Sequence, residues 1–476
     1  MRIAYLANGI PSQLTMGLEL SRRLREAGHE VTYLGHPERE SRVRAHGFDF
    51  VRLDADRRLQ RDAESHAVAW RDARSPRRFA RRALERRRIR RRSLANDEIE
   101  RRIRALAPER LVIDLELHFA VQATRGLGIP TVLAMGFFSV HRQRGLPPLS
   151  TPLRPAAAGE KIWRLELAWW RLLLETRHFE WRQRLGKLRR CELFPPVAYD
   201  TYDIDDLRAL ARERRFPLRR ECSRGEWLRP YMYRRLPVLC LTARELDLPQ
   251  RTPDNLRYVG PMVPPPDRRR AEDASEPEGD RASGLRAWRR FREARRPQRP
   301  LVYCSLGSLW SADEGLLRRV VEVFARRPDW DLVLGLGGKL EPGRLGRLAG
   351  NVLALSWAPQ LEVLAHSRCA ITHGGLGTVH ECVRLGVPMI VYSTGFVEQH
   401  GNATRVGFHG LGIVVDRNKD GVRDLGNHVA QALEDHNLRD RVEAMRQRLE
   451  NYERTGLAVT LVETGGAGPA QGGAAS

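Results

Sequence analysis

Trp357-Ala-Pro-Gln360, then Thr372-His-Gly-Gly-Leu-Gly-Thr-Val-His-Glu381, then Gly386-Val-Pro388, and finally Glu398-Gln399 with Asn402-Ala403 make one composite motif across residues 357–403. Its centre reads as a strand, Ala370-Ile-Thr372, handed through glycines to a helix that begins near Thr378. Glycines let a backbone come close to phosphate oxygens, and the amides that open a helix point partial positive charge at them. Strand, glycine turn and helix in that order are the repeating unit of a parallel α/β sheet. A lone His-Gly-Gly is a common turn, and a lone Trp-x-Pro-Gln says little. The ordered set carries the reading.

That set resembles the donor-binding signature of the UDP-glycosyltransferase superfamily, the inverting enzymes of GT-B architecture. The resemblance implies an α/β fold with two Rossmann-like, doubly wound domains facing a cleft. It implies a C-terminal helix crossing back to the N-terminal domain, a UDP-sugar donor (a dTDP-sugar as second choice), no cofactor and no metal. On the matching positions, Trp357 would stack on the uracil, Gln360 would contact the ribose and Glu381 would accept from its hydroxyls. His373 and Thr378 would bond the β- and α-phosphates, with Gly375 and Gly377 allowing the approach. Ser308, closing Ser305-Leu-Gly-Ser, would donate from the facing loop, and Glu398 with Gln399 would read sugar hydroxyls. Three departures bear on which sugar is read. Ser393 stands for the signature's proline, one extra residue follows Pro388, and Glu398 stands where Asp is commoner.

The family usually carries a histidine after strand one as general base, oriented by an aspartate. Counting back from Gly28-His29, its position falls on Gln13, and no histidine precedes His29. An amide can hydrogen-bond an acceptor but cannot take its proton. Asp114 matches the aspartate. Asp114 acting directly or through water, His118 as substitute, an acceptor needing no base, or donor binding with little turnover all stay open. The last is the alternative function: a catalytically weak or inactive auxiliary partner. His29 reads as structural, and Asp203-Ile-Asp205 as a surface stretch rather than a metal motif.

The chain has 476 residues and is 42% hydrophobic, enough for two cores. Apolar runs at Ile3–Ala7, Val31–Leu34, Leu111–Asp114, Thr131–Ala134 and Pro237–Thr242 alternate with amphipathic segments. They define an acceptor-binding domain at 1–260, with Pro237–Thr242 as its last strand. A linker is expected at 261–300 from its Pro, Ser and charged residues, a nucleotide-sugar-binding domain at 301–430, and a helical segment at 431–464 with Leu438–Glu453 as the final helix. Residues 465–476 read as a disordered tail. The N-terminus reads as a strand rather than a signal segment, and the six scattered cysteines suit a reducing compartment. The cytoplasm is expected, with peripheral membrane contact as an option.

The formal net charge is +23, with Arg86–Arg92 inside a basic stretch over residues 71–110. No nucleic-acid-binding signature accompanies it, so the stretch reads as a solvated helix face, with an anionic membrane or acidic acceptor as the next reading. Between Lys161 and Arg190, Trp163, Leu167, Trp170, Leu174 and Trp181 recur at helical spacing among arginines. We read these five as core and acceptor wall, with a membrane interface as the other reading. The acceptor itself is expected to be small and apolar or lipid-like. A sugar-nucleotide epimerase and a nucleic-acid binder are the remaining rivals.

Overall fold

The computed structural model describes residues 1–53, 97–189, 204–223, 232–264, 278–307, 313–338, 340–394, 398–417 and 419–467. In the first half the strands are β1 (Arg2–Leu6), β2 (Glu30–Gly35), β3 (Asp49–Arg52), β4 (Arg110–Asp114) and β5 (Thr131–Met135). A short antiparallel pair follows, β6 (Cys222–Ser223) with β7 (Met232–Tyr233), and then β8 (Val238–Cys240) and β9 (Leu256–Tyr258). Seven of them form one parallel sheet in the order β3-β2-β1-β4-β5-β8-β9. Its central strands are apolar on both faces because helices cover both: Leu111, Val112 and Ile113 of β4 are fully buried.

The second half repeats the plan with β10 (Leu301–Ser305), β11 (Asp331–Gly335), β12 (Val352–Leu355), β13 (Cys369–Thr372), β14 (Met389–Val391) and β15 (Gly412–Val414). Their order is β12-β11-β10-β13-β14-β15, again parallel. Each sheet reverses its strand order once, between β1 and β4 and between β10 and β13. In open α/β sheets the crevice at the carboxyl ends of such a strand pair is where ligands bind. The two-domain α/β fold expected from the sequence is present.

Three expectations are corrected. The last strand of the N-terminal sheet is β9, because Leu256–Tyr258 pairs with β8 beyond Pro237–Thr242. Within the stretch read as linker, residues 278–294 form a helix. Its Trp288 is fully buried and meets His366 edge-on, so one aromatic anchor outweighs a charged composition. Finally, Trp163, Leu167, Trp170, Leu174 and Trp181 lie on the exposed side of the helix Ile162–Arg189; its buried stripe is Leu165, Trp169 and Leu172. Trp169 is drawn inward because its indole N–H reaches the Leu146 carbonyl at 2.8 Å.

The helix expected at Leu438–Glu453 runs from His436 to Thr455, and Gly456, at φ 61°, breaks it before one more helix, Leu457–Glu463. This last helix makes the return to the N-terminal domain. Ala458, Leu461 and Val462 join a core with Ile3, Tyr5 and Leu18. Arg110 Nη2 donates to the Glu463 carbonyl at 2.7 Å, and His29 Nε2 pairs with Glu463 Oε1 at 2.8 Å. His29 is therefore structural, as expected. The basic run Arg86–Arg92, Asp203 and the end of the tail lie outside the described residues, as does Cys191; the other five cysteines are buried free thiols.

Between the domains, Arg405 grips Asp247 through Nε at 2.7 Å and Nη2 at 2.6 Å, with both side chains buried. Tyr258 Oη donates to the other oxygen of Asp247, and the Arg405 guanidinium lies 4.5 Å from the Phe138 ring centre. Thr242 Oγ1 and His380 Nε2 share a bond at 2.7 Å. One hydrophobic cluster runs continuously from Leu149 and Tyr258 to Val379, Trp288 and Met445. The two domains thus share one hydrophobic core and a buried ion pair.

Candidate functional site

In the second domain, β13 ends at Thr372 and the helix Leu376–Arg384 opens four residues later. The turn between them demands glycine. Gly374 has φ +82°, and a Cβ there would lie 3.0 Å from Val391 Cγ1. Asn402 Nδ2 holds the Gly374 carbonyl at 2.9 Å, which gives the last piece of the motif its function.

The His373 ring is pinned from both sides by glycines. A Cβ at Gly307, on the loop after β10, would lie 2.6 Å from its Cε1; a Cβ at Gly375 would lie 2.6 Å from its Nε2. Burial pushes the imidazole pKa down to about 4, partly offset by the Ser305 backbone facing it. The ring is thus neutral near pH 7. Gly377 has open space where a Cβ would stand, beside the first amides of the helix. Ser308, the remaining residue expected on this loop, lies outside the described residues.

Gln360 is oriented before any ligand arrives. Tyr303 Oη donates to its Oε1 at 3.0 Å, and its Nε2 donates to Glu381 and, at 3.5 Å, to Thr378 Oγ1. Gln360, Thr378 and Glu381 therefore form one polar cluster beside the glycine turn. Trp357 is half-buried, its carbonyl 2.3 Å from where a Cβ at Gly284 would stand, so the helix Glu278–Ala294 seats it. Gln399 is buried, and its Oε1 accepts from the Thr394 amide at 3.1 Å and from the Thr394 hydroxyl. Glu398 occupies the cap position of the helix Gln399–Phe408.

In the first domain the β1–β4 switch point carries a second polar cluster. Gln13 Nε2 donates to Glu116 Oε2 at 2.7 Å, and Asn8 Nδ2 donates to the same oxygen at 2.8 Å. Asn8 also donates to Gln13 Oε1. Asp114 Oδ1 accepts the Glu116 amide at 3.0 Å, a turn that aims Glu116 at Gln13. Sequence reasoning found Gln13 and Asp114 but missed Asn8 and Glu116. Two residues past a strand end, in Asp-Leu-Glu, was the available signal for Glu116. His118 is fully buried with Nδ1 3.1 Å from Tyr233 Oη, and burial pushes its pKa down to about 3.

Residues 288–448 match the family model described as UDP-glucoronosyl and UDP-glucosyl transferase. The chain is 30% identical over 210 residues to the demethyllactenocin mycarosyltransferase of Streptomyces fradiae, covering 44% of this chain and 41% of that protein. To the zeaxanthin glucosyltransferase of Pseudescherichia vulneris it is 24% identical over 372 residues, covering 77% and 76%. The chain thus spans about two-fifths of the length of the first curated relatives it matches, at 41% to 42%. Its fold is similar to the crystal structure of the kitacinnamycin glycotransferase, with a TM-score of 0.64, 20% identity and 98% of each chain covered. The matched segment holds both the glycine-seated His373 and the Gln360–Glu381 pair; over these residues the chain is similar to the UDP-glycosyltransferase family, and its fold is that of the GT-B glycosyltransferase structures.

Proposed function

We propose that the protein transfers a sugar from a nucleoside diphosphate sugar, UDP-linked first and dTDP-linked second, to a small apolar or lipid-like acceptor with inversion at the anomeric carbon. The observation that carries this reading is the seating of His373 between Gly307 and Gly375 at the opening of the helix Leu376–Arg384. A neutral imidazole N–H, the Thr378 hydroxyl and the first helix amides suit a diphosphate at that place. Trp357 offers a planar face for the base, and a ribose diol would compete with Gln360 for Glu381. The names of the relatives, a mycarosyltransferase and a zeaxanthin glucosyltransferase, support sugar transfer, the second to a largely apolar molecule.

In the proposed step, the acceptor oxygen attacks the anomeric carbon on the face opposite the diphosphate. The carbon–oxygen bond to the β-phosphate breaks, and the acceptor proton passes to a carboxylate. We assign that carboxylate to Glu116, because Gln13 and Asn8 both aim at its Oε2, while Asp114 positions it through the Glu116 amide. His373, Thr378 and the helix amides meet the charge left on the diphosphate. Glu398 and Gln399 would border the sugar from the far end, Gln399 after leaving Thr394. We place the enzyme in the cytoplasm, in keeping with its buried free thiols.

The test is mass spectrometry of the protein incubated with UDP- and dTDP-sugars and an acceptor panel that includes alcohols, amines and carboxylic acids. Glycosylated product that disappears in His373→Ala supports the reading. Nucleotide binding with no product from any pair supports an auxiliary role instead.

A further inference from the structure

The helix Ile162–Arg189 carries two apolar stripes, and the fold uses one. Leu165, Trp169 and Leu172 are buried. Trp163, Leu167, Trp170, Leu174 and Trp181 are 56% to 62% exposed. At 3.6 residues per turn these five positions fall within roughly 60° of arc and run along about 27 Å of axis. Ile162 and Phe179, also exposed, lie off this line. Arg164, Arg171, Arg177 and Arg182 flank it and are themselves exposed. Arg164 and Arg171 pair with Glu160 and Glu175 at the surface, at 2.9 and 2.8 Å; such pairs are weak and exchange readily for a phosphate.

Two observations choose the occupant. A chain of net charge +23 repels a second copy of itself and attracts an anionic surface. Three of the five residues are tryptophan, whose ring settles at the level of lipid headgroups, whereas the seam between paired helices favours Leu, Ile and Val. Among the described residues no helix is long and apolar enough to cross a bilayer, so contact means lying in the interface. We propose that this stripe docks the protein on an anionic lipid surface, with the helix axis in the headgroup plane and the flanking arginines reaching the phosphates. The inference rests on this helix and on the charge of the chain, and stands whatever reaction the protein catalyses.

Docking would leave the domain contact intact. The buried side of the helix holds Leu146, and along the same loop Leu149 packs on Gly401 while the Leu153 carbonyl accepts from Thr404 Oγ1 at 3.3 Å. The test is co-sedimentation of the full chain with vesicles of phosphatidylcholine alone and of phosphatidylcholine with phosphatidylglycerol. Binding is expected to the anionic vesicles only. The triple variant Trp163→Ser, Trp170→Ser, Trp181→Ser, which keeps every charge, should lower the bound fraction at least about tenfold with an unchanged unfolding midpoint. Should that variant not fold, Leu167→Ser with Leu174→Ser serves the same comparison. Equal sedimentation of variant and parent would mean bulk charge alone and overturn the proposal. So would an absence of vesicle binding, or a parent dimer that the variant converts to monomer.

Discussion

Gln13 Nε2 donates to Glu116 Oε2 at 2.7 Å, joining the first turn of the helix Pro11–Glu26, which follows β1, to the loop that leaves the neighbouring parallel strand β4. An amide stands where the family resemblance implied a base, and a carboxylate is bonded to it. Glu116→Gln keeps the shape and removes the proton acceptor, so kcat with hydroxyl acceptors should fall roughly 10²- to 10⁴-fold while nucleotide affinity holds. Gln13→His, which places an imidazole against the same carboxylate, should raise kcat with those acceptors. An unchanged kcat in Glu116→Gln would remove Glu116 from the chemistry.

His373→Ala is expected to weaken UDP binding roughly 10- to 100-fold in calorimetry, the loss of a hydrogen bond to a charged group. Gly307→Ala should do the same by displacing the ring, since its Cβ would lie 2.6 Å from Cε1 at a φ of +84°. Parental affinity in both variants would place the diphosphate elsewhere.

Arg405→Ala leaves Asp247 buried with its strongest partner gone, and should cost roughly 3–5 kcal/mol in urea unfolding. The pair Arg405→Met with Asp247→Leu removes both charges and should cost less than the single change. If the double variant is the weaker of the two, the clasp contributes net stability of its own.

Acid should loosen the fold earlier than carboxylate chemistry alone requires. Burial holds His118, His373 and His380 at about 3, 4 and 3, below the usual 6.5. The unfolded chain takes up these protons as pH falls through 6.5 and the folded chain does not. The stability they confer is therefore complete above pH 6.5 and drains away below it, by about 1.4 kcal/mol per pH unit for each histidine. His46, His400 and His409 shift in the same direction. Glu40, Glu314 and Glu443, held low by arginines, act only further down. A melting temperature that stays flat from pH 7 to about 5 would contradict this account.

The glycine turn of the second domain was legible because its requirements are local. A strand, a turn that only glycine can make, and a helix start follow one another within Thr372–Thr378, so chain order already specifies their geometry. Trp288 shows where composition misled: arginines around it read as linker, while a single buried indole decides that the segment is a helix packed on the second domain.

The amino-acid sequence by itself determined two parallel α/β domains, the glycine turn between Thr372 and the following helix, and the absence of a histidine at position 13. Only the tertiary structure decided which carboxylate stands behind Gln13, because strand order brings together residues 103 positions apart. It also decided which stripe of Ile162–Arg189 faces inward. Both stripes are apolar and both recur at helical spacing, so periodicity cannot rank them. The Leu146 carbonyl waiting for the Trp169 indole does.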